Sequence, residues 1–197
     1  MLEIGLPRIH LSQNVLSNFD RAIQTEWIIT NGLGGYSSST VLGINTRKYH
    51  GILVAAFNPP TDRRVLLAKL DEEIRVGDNT YSLGSNEFKS DILPRGYEFL
   101  SGFSLNPFPT YRYVVHDVQV EKVLFMLHEK NAVVAVYDLL NPYESEIIVH
   151  VIPLVNSRHF HSLTNKEELN WSFIQRCDEG KVKIQTSKPL STLLLSA

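Results

Sequence analysis

EWIITNGLGGYSSSTVLGINTRKYHGILVAA, residues 26–56, poses the fold question. Gly32, Gly34 and Gly35 put three glycines within four positions, and Asn45, Thr46, Arg47, Lys48, Tyr49 and His50 follow as an unbroken polar and cationic run. Read as a phosphate cradle, the glycines approach G-x-G-x-x-G, but Ser37 stands where the last glycine belongs. That fingerprint also needs a following helix, whose N-terminus holds the pyrophosphate. Ser38-Ser39-Thr40-Val41-Leu42-Gly43 are poor helix formers, and no Gly-Lys-Ser or Gly-Lys-Thr follows as a P-loop requires. Asn31-Gly32 is instead a favoured hairpin-turn pair, because both positions tolerate positive φ. Gly34-Gly35 then lets backbone lie close to another surface.

The rest of the chain repeats this strand-turn-strand grammar. Lys181-Val182-Lys183-Ile184-Gln185 alternates as a half-buried strand does. Glu146 to Ile152 and Ala132 to Leu140 are rich in β-branched residues, and Ile52 to Ala56 is a short apolar run. Gly77-Asp78-Asn79, Glu129-Lys130-Asn131 and Asp178-Glu179-Gly180 each divide two such runs, which predicts antiparallel hairpins. In HDVQVEKVLFML, Val118 and Val120 share one parity while Val123, Phe125 and Leu127 share the other, so a β-bulge is expected near Glu121-Lys122. One helix is expected over Ser12 to Glu26, with Ser12 as cap and Val15, Leu16, Phe19 and Ile23 on its apolar face. Pro59-Pro60, Pro94-Arg95-Gly96 and Asn106-Pro107-Phe108-Pro109 read as loops. No linker or repeat divides the chain, so residues 1–197 read as a single domain, mainly β. The terminal run LSTLLLSA reads as a strand with no polar tail, and predicts that the natural polypeptide continues and the domain is truncated here.

Composition narrows the function classes. The 197 residues are 43% hydrophobic and 20% charged, with a formal net charge of −2, which gives no broad basic grip on nucleic acid. Neither a signal-peptide pattern nor a run of about 18 apolar residues is present, so no membrane partner is expected. The single cysteine, Cys177, precludes an internal disulfide and places the chain by expectation in a reducing cytoplasm.

Three constellations carry potential chemistry. Asn45 to Gly51 offers amide, hydroxyl, guanidinium, ammonium, phenol and imidazole groups, which suits reading sugar hydroxyls with Tyr49 stacked on a ring. The plainer reading is a satisfied polar turn, with Arg47 paired to a carboxylate such as Asp71 or Glu72. Asp71, Glu72 and Glu73 raise glycosidase acid-base chemistry, but Asp71 and Glu72, as neighbours on a strand, point to opposite faces and cannot flank one bond, while Asp71 and Glu73 share a face but sit too close for an inverting pair. A solvated or ion-paired strand end is the preferred meaning. Arg158-His159-Phe160-His161 places two imidazoles at a known metal-ligand spacing, without an evident third ligand, so no metal site is assigned. The absence of a G-x-S-x-G motif removes support for serine hydrolase chemistry.

Taken together, EWIITNGLGGYSSSTVLGINTRKYHGILVAAFNPPTDRRVLLAKLDEEI closely resembles the N-terminal domain of bacterial and archaeal glycogen debranching enzymes, the amylo-α-1,6-glucosidase family. Tyr81-Ser82-Leu83, Asn86-Glu87-Phe88 and Pro153 to His161 also look like family positions. The resemblance implies a large antiparallel β-sandwich, similar to the supersandwich that precedes the barrel of glucoamylase-like enzymes. It implies that hydrolysis of α-1,6 branch points belongs to a C-terminal (α/α)6 barrel in cis, absent from these 197 residues. No catalytic carboxylate is transferred here, no cofactor is implied, and the chain is expected to be inactive alone. Its expected partners are that barrel and an α-glucan, glycogen or limit dextrin. The candidate substrate-binding or interface residues are Gly32, Gly34, Gly35, Tyr36, Asn45, Arg47, Tyr49 and His50. The alternatives are a free-standing carbohydrate-binding module and a metal-dependent enzyme using His159 and His161. An isolated sandwich with one face uncovered is also expected to self-associate.

Overall fold

The computed structural model describes residues 8–89, 91–165, 167, 172–187 and 190–197. In chain order these form β1 (Ile9–Ser12), α1 (Gln13–Leu16), α2 (Phe19–Ala22), β2 (Glu26–Thr30), β3 (Tyr36–Thr40), β4 (Gly51–Asn58), β5 (Thr61–Val76) and β6 (Asn79–Ser82). Next come β7 (Ser85–Glu87), β8 (Ile92–Arg95), a 3-10 turn (Gly96–Phe99), β9 (Leu100–Leu105), β10 (Pro109–Val115), β11 (Val118–Met126) and β12 (Val133–Leu140). β13 (Ile147–His159), β14 (Phe173–Asp178), β15 (Lys181–Ser187) and β16 (Leu190–Ser196) complete the order. The protein is mainly β, and every strand pairing among the described residues is antiparallel.

Two sheets make the sandwich. One runs β1-β9-β10-β11-β12; the other runs β13-β5-β4-β3-β2, with β6 beside the distal half of β5. Trp27, Ile52, Leu53, Leu67, Leu70 and Ile74 of the second sheet are buried in one core with Phe103, Tyr111, Tyr113, Val118, Val120 and Leu124 of the first. The indole of Trp27 donates to the Tyr111 hydroxyl, which donates in turn to the Thr40 carbonyl at 2.8 Å, so polar atoms inside the core are satisfied across the layers. A small sheet, β14-β15-β16, joins at β13 through a triangle of the Ser157, Thr186 and Ser191 hydroxyls, 2.7–3.2 Å apart. β13 ends its sheet among the described residues, and Pro153 sits near the middle of it, opposite Leu70 of β5.

The predicted hairpins are present. Gly77 and Gly180 take positive φ in the β5–β6 and β14–β15 turns, and Glu129 does so between β11 and β12. Of the run expected before the Asp178-Glu179-Gly180 turn, residues 171–177, Trp171 lies outside the described residues. Three expectations fail. Pro94 and Arg95, read as part of a loop, belong to strand β8, where Arg95 pairs with Ser85. The helix over Ser12 to Glu26 is two single turns broken at Ser17-Asn18. Ser12 makes no side-chain cap, and Asn18 instead accepts from the Arg21 amide to start the second turn. Val15 is exposed. The bulge at Glu121-Lys122 is absent, since β11 pairs without interruption with both β10 and β12. Val118, Val120, Lys122, Leu124 and Met126 all face inward, so the alternation runs unbroken through a buried lysine where the bulge was expected.

That lysine has a partner from the other sheet. Lys122 Nζ lies 2.5 Å from Glu72 Oε1 and donates to the Leu70 carbonyl at 3.0 Å. Tyr137 donates to the same carboxylate oxygen at 2.6 Å. A second pair stands beside it on β5: Lys69 lies 2.7 Å from Asp71 Oδ1, and Asn86 donates to Asp71 Oδ2 at 2.8 Å. Burial depresses the Lys69 ammonium below its ordinary value, with Asp71 opposing. Burial and the Glu72 carboxylate both hold the Tyr137 phenol above its ordinary value.

Candidate functional site

The glycine loop is a five-residue connection between β2 and β3, clamped by two other turns. Asn31, 0% exposed, organises it. Its side-chain amide donates to the Lys130 carbonyl at 2.9 Å and its Oδ1 accepts from the Leu33 amide at 2.9 Å. Gly34, at φ +91°, lies against Pro60, where a β-carbon would meet the Pro60 carbonyl oxygen at 2.7 Å. A β-carbon at Gly35 would meet the Val54 carbonyl oxygen at 2.9 Å. Gly32 lies against the His128 ring. The next element is strand β3, so the helix a pyrophosphate cradle requires does not follow. Each of the three glycines lies close against a neighbouring segment of the chain.

The Asn45–His50 turn is held from below and presents its middle outward. Asn45 donates to the Ala68 carbonyl at 2.7 Å and accepts from Ser39 at 3.0 Å. Tyr36, buried in the outer surface of the second sheet, donates its hydroxyl to the Tyr49 carbonyl at 2.8 Å. Burial raises its phenol, and the charges of Arg63 and Arg158 work against that rise. Arg158 donates to the Lys48 carbonyl at 2.6 Å and to the Ser162 carbonyl at 2.7 Å, tying this turn to the one after β13. The Tyr49 ring is 38% exposed and lies 5.7 Å from both Phe160 and His161, whose Nδ1 is 3.2 Å from the Tyr49 hydroxyl. Tyr49, Phe160 and His161 thus form an aromatic shelf.

Arg47 pairs with Glu26, not with Asp71 or Glu72 as expected. The pairing of Glu26 with Thr40 puts that carboxylate at the end of β2, beside the turn that follows β3. His50 is 2% exposed, accepts from the Thr46 amide through Nδ1 at 3.1 Å, and has Nε2 at 3.6 Å from Glu26. Desolvation is the largest influence on it and pushes its imidazole below the ordinary value; Glu26 opposes this and Arg47 adds to it. An unfolded His50 titrates near pH ~6.5. Below that pH the unfolded chain binds a proton that the folded chain resists, so this contribution to stability is complete above pH ~6.5 and lost as pH falls below it. Urea midpoints measured from pH ~7 down to pH ~5 should therefore fall, with a shallower slope in His50→Gln.

His159 and His161 do come together, with ring centroids 5.3 Å apart, but His159 Nδ1 accepts the His161 amide at 3.3 Å. No cluster of three potential metal ligands occurs among the described residues. The cavity lined by Glu72, Asp71, Lys122, Tyr111 and Tyr113 is about 20 Å³, room for about one water and far short of a sugar ring. Sequence reasoning missed Arg63 and Phe160. They meet only because the β5–β13 pairing brings Arg63 beside the residues that follow His159, and the Phe160 amide donates to the Arg63 carbonyl at 3.0 Å.

Fold and surface together define an antiparallel β-sandwich domain with a rigid aromatic and polar patch on the outside of one sheet. Over residues 25–197 the sequence matches the family described as glycogen debranching enzyme N terminal, and the chain belongs to that family. No curated protein and no solved structure matches the chain. No helix among the described residues is long and apolar enough to cross a membrane.

Proposed function

We propose that residues 1–197 act as one non-catalytic N-terminal domain of a cytoplasmic enzyme that hydrolyses α-1,6 branch points, contacting the α-glucan and supporting a catalytic barrel in cis. Family membership over residues 25–197 supplies the enzyme class. The observation that carries glucan contact is the Tyr49 ring, exposed on a turn that Asn45, Tyr36 and Arg158 fix from beneath. A pyranose stacks on such a ring with little ordering cost, because the turn is already rigid. Gly32, Gly34 and Gly35 serve this surface indirectly by seating the neighbouring loop, while Arg47 and His50 brace the turn through Glu26. Asp71 and Glu72 are each committed to a lysine, which unfits them as a free acid and base across a glycosidic bond.

Titration with maltoheptaose should give saturable binding, weakened about tenfold in Tyr49→Ala, the loss expected for one stacked ring. The same chain should release no glucose from limit dextrin. Absence of binding at millimolar sugar would remove the glucan contact, and glucose release would remove the non-catalytic reading.

A further inference from the structure

The outer face of the second sheet holds more positive charge than a neutral glucan needs. Tyr36, Val54, Val65 and Arg158 form a cross-strand row over β3, β4, β5 and β13. Around its end stand Lys48, with Nζ 5.1 Å from the Tyr49 ring centroid, and Arg63, whose guanidinium is 5.4 Å from that of Phe160. The carboxylates of the adjoining segments are already taken: Glu26 by Arg47 and Asp62 by Arg64 at 3.0 Å. Among the described residues no carboxylate lies within salt-bridge distance of Lys48, Arg63 or Arg158. The Nε of Arg63 is buried and has no hydrogen-bond partner. A buried donor left unmade is costly, and like charges brought together on a partly desolvated face repel. Contact with aromatic rings offsets only part of this.

We propose that this patch binds a phosphomonoester carried on a sugar ring. Tyr49, Phe160 and His161 take the pyranose face. Lys48 and Arg63 at the rim of the shelf take the phosphate, which accepts charge-assisted hydrogen bonds from both. Arg158, whose donors already hold the Lys48 and Ser162 carbonyls, adds charge and rigidity without direct contact. The proposal rests on the glucan-contact reading and gives it a charge: the sugar is phosphorylated, either as a free sugar phosphate or as an ester on the glucan.

The test is calorimetric titration of the 197-residue chain with glucose 6-phosphate, glucose, inorganic phosphate, maltoheptaose and a phosphorylated maltodextrin at low ionic strength. Glucose 6-phosphate should bind about tenfold more tightly than either glucose or inorganic phosphate, the effect of one charge-assisted contact added to one stacked ring. Its affinity should fall with added salt, while that of maltoheptaose should not. In Lys48→Gln/Arg63→Gln, confirmed folded by near-ultraviolet circular dichroism, the preference for glucose 6-phosphate over glucose should disappear. Tighter binding of the phosphorylated maltodextrin than of glucose 6-phosphate places the ester on the glucan; the reverse places it on a free sugar. Equal affinity for phosphorylated and neutral sugars overturns the phosphate assignment and leaves glucan contact standing. Inorganic phosphate binding as tightly as glucose 6-phosphate overturns the sugar assignment. No binding by any of the five overturns both readings.

Discussion

Glu72→Ala should lower stability by about 3–5 kcal/mol and the thermal midpoint by about 10 °C. Glu72 is 2% exposed and Lys122 6% exposed, between the two sheets. Removing the carboxylate leaves an ammonium with the Leu70 carbonyl as its remaining acceptor, and the Tyr137 hydroxyl without one. The loss comes from stranding those groups, not from the pair's own net attraction, because desolvation cancels much of that attraction. The distinction can be measured. Replacing the whole group, as Glu72→Leu with Lys122→Met and Tyr137→Phe, should recover wild-type stability or exceed it. A loss below about 1 kcal/mol in Glu72→Ala would mean that water reaches the pair, since exposed ion pairs contribute no more than that.

Gly34→Ala should cost about 3 kcal/mol, read as a fall in the urea midpoint at unchanged slope. Two penalties coincide there. The backbone sits at φ +91°, and the new methyl would meet Pro60 atoms at 2.7–2.9 Å, among them backbone. Neither the β2–β3 loop nor the β4–β5 turn can retreat easily, because Asn31 and Asn131 tie both regions to the β11–β12 turn. Gly77 is the control. It has φ +59° with nothing within 4 Å of an added β-carbon, so Gly77→Ala should cost only about 1 kcal/mol. Similar losses at both positions would mean that backbone conformation alone matters and that the Pro60 contact does not.

The hairpins were legible because glycine and asparagine mark turns in their own local chemistry, as they do in Gly77-Asp78-Asn79 and Asp178-Glu179-Gly180. Strand β15 was legible because Val182, Ile184 and Thr186 face the body while lysines face water. Local pattern misled where a polar residue was buried with a distant partner. Lys122 looked like a change of face, and only its meeting with Glu72 keeps β11 regular. The partner of Arg47 was misjudged for a related reason, since strand register, not nearness to an acidic run, decides which carboxylate is in reach. Of the candidate surface, Tyr49 could be picked out by residue type. Its companions Arg158, Phe160 and His161 are brought to Arg63 by the β5–β13 pairing, which joins residues as far apart as Arg64 and His159, a span no short window contains.

Pro153 has a consequence for how this molecule behaves in a crowd. Among the described residues β13 is the border of its sheet, and it carries Val151, Ile152 and Leu154 partly exposed, an inviting template for another polypeptide. Proline has no amide hydrogen, so the row of donors along that border is interrupted close to its centre. A neighbour trying to zip on would find two short stretches with a gap between them. Sticky side chains still permit loose, reversible clustering, while the missing hydrogen works against the continuous cross-molecule ribbon from which fibrils grow.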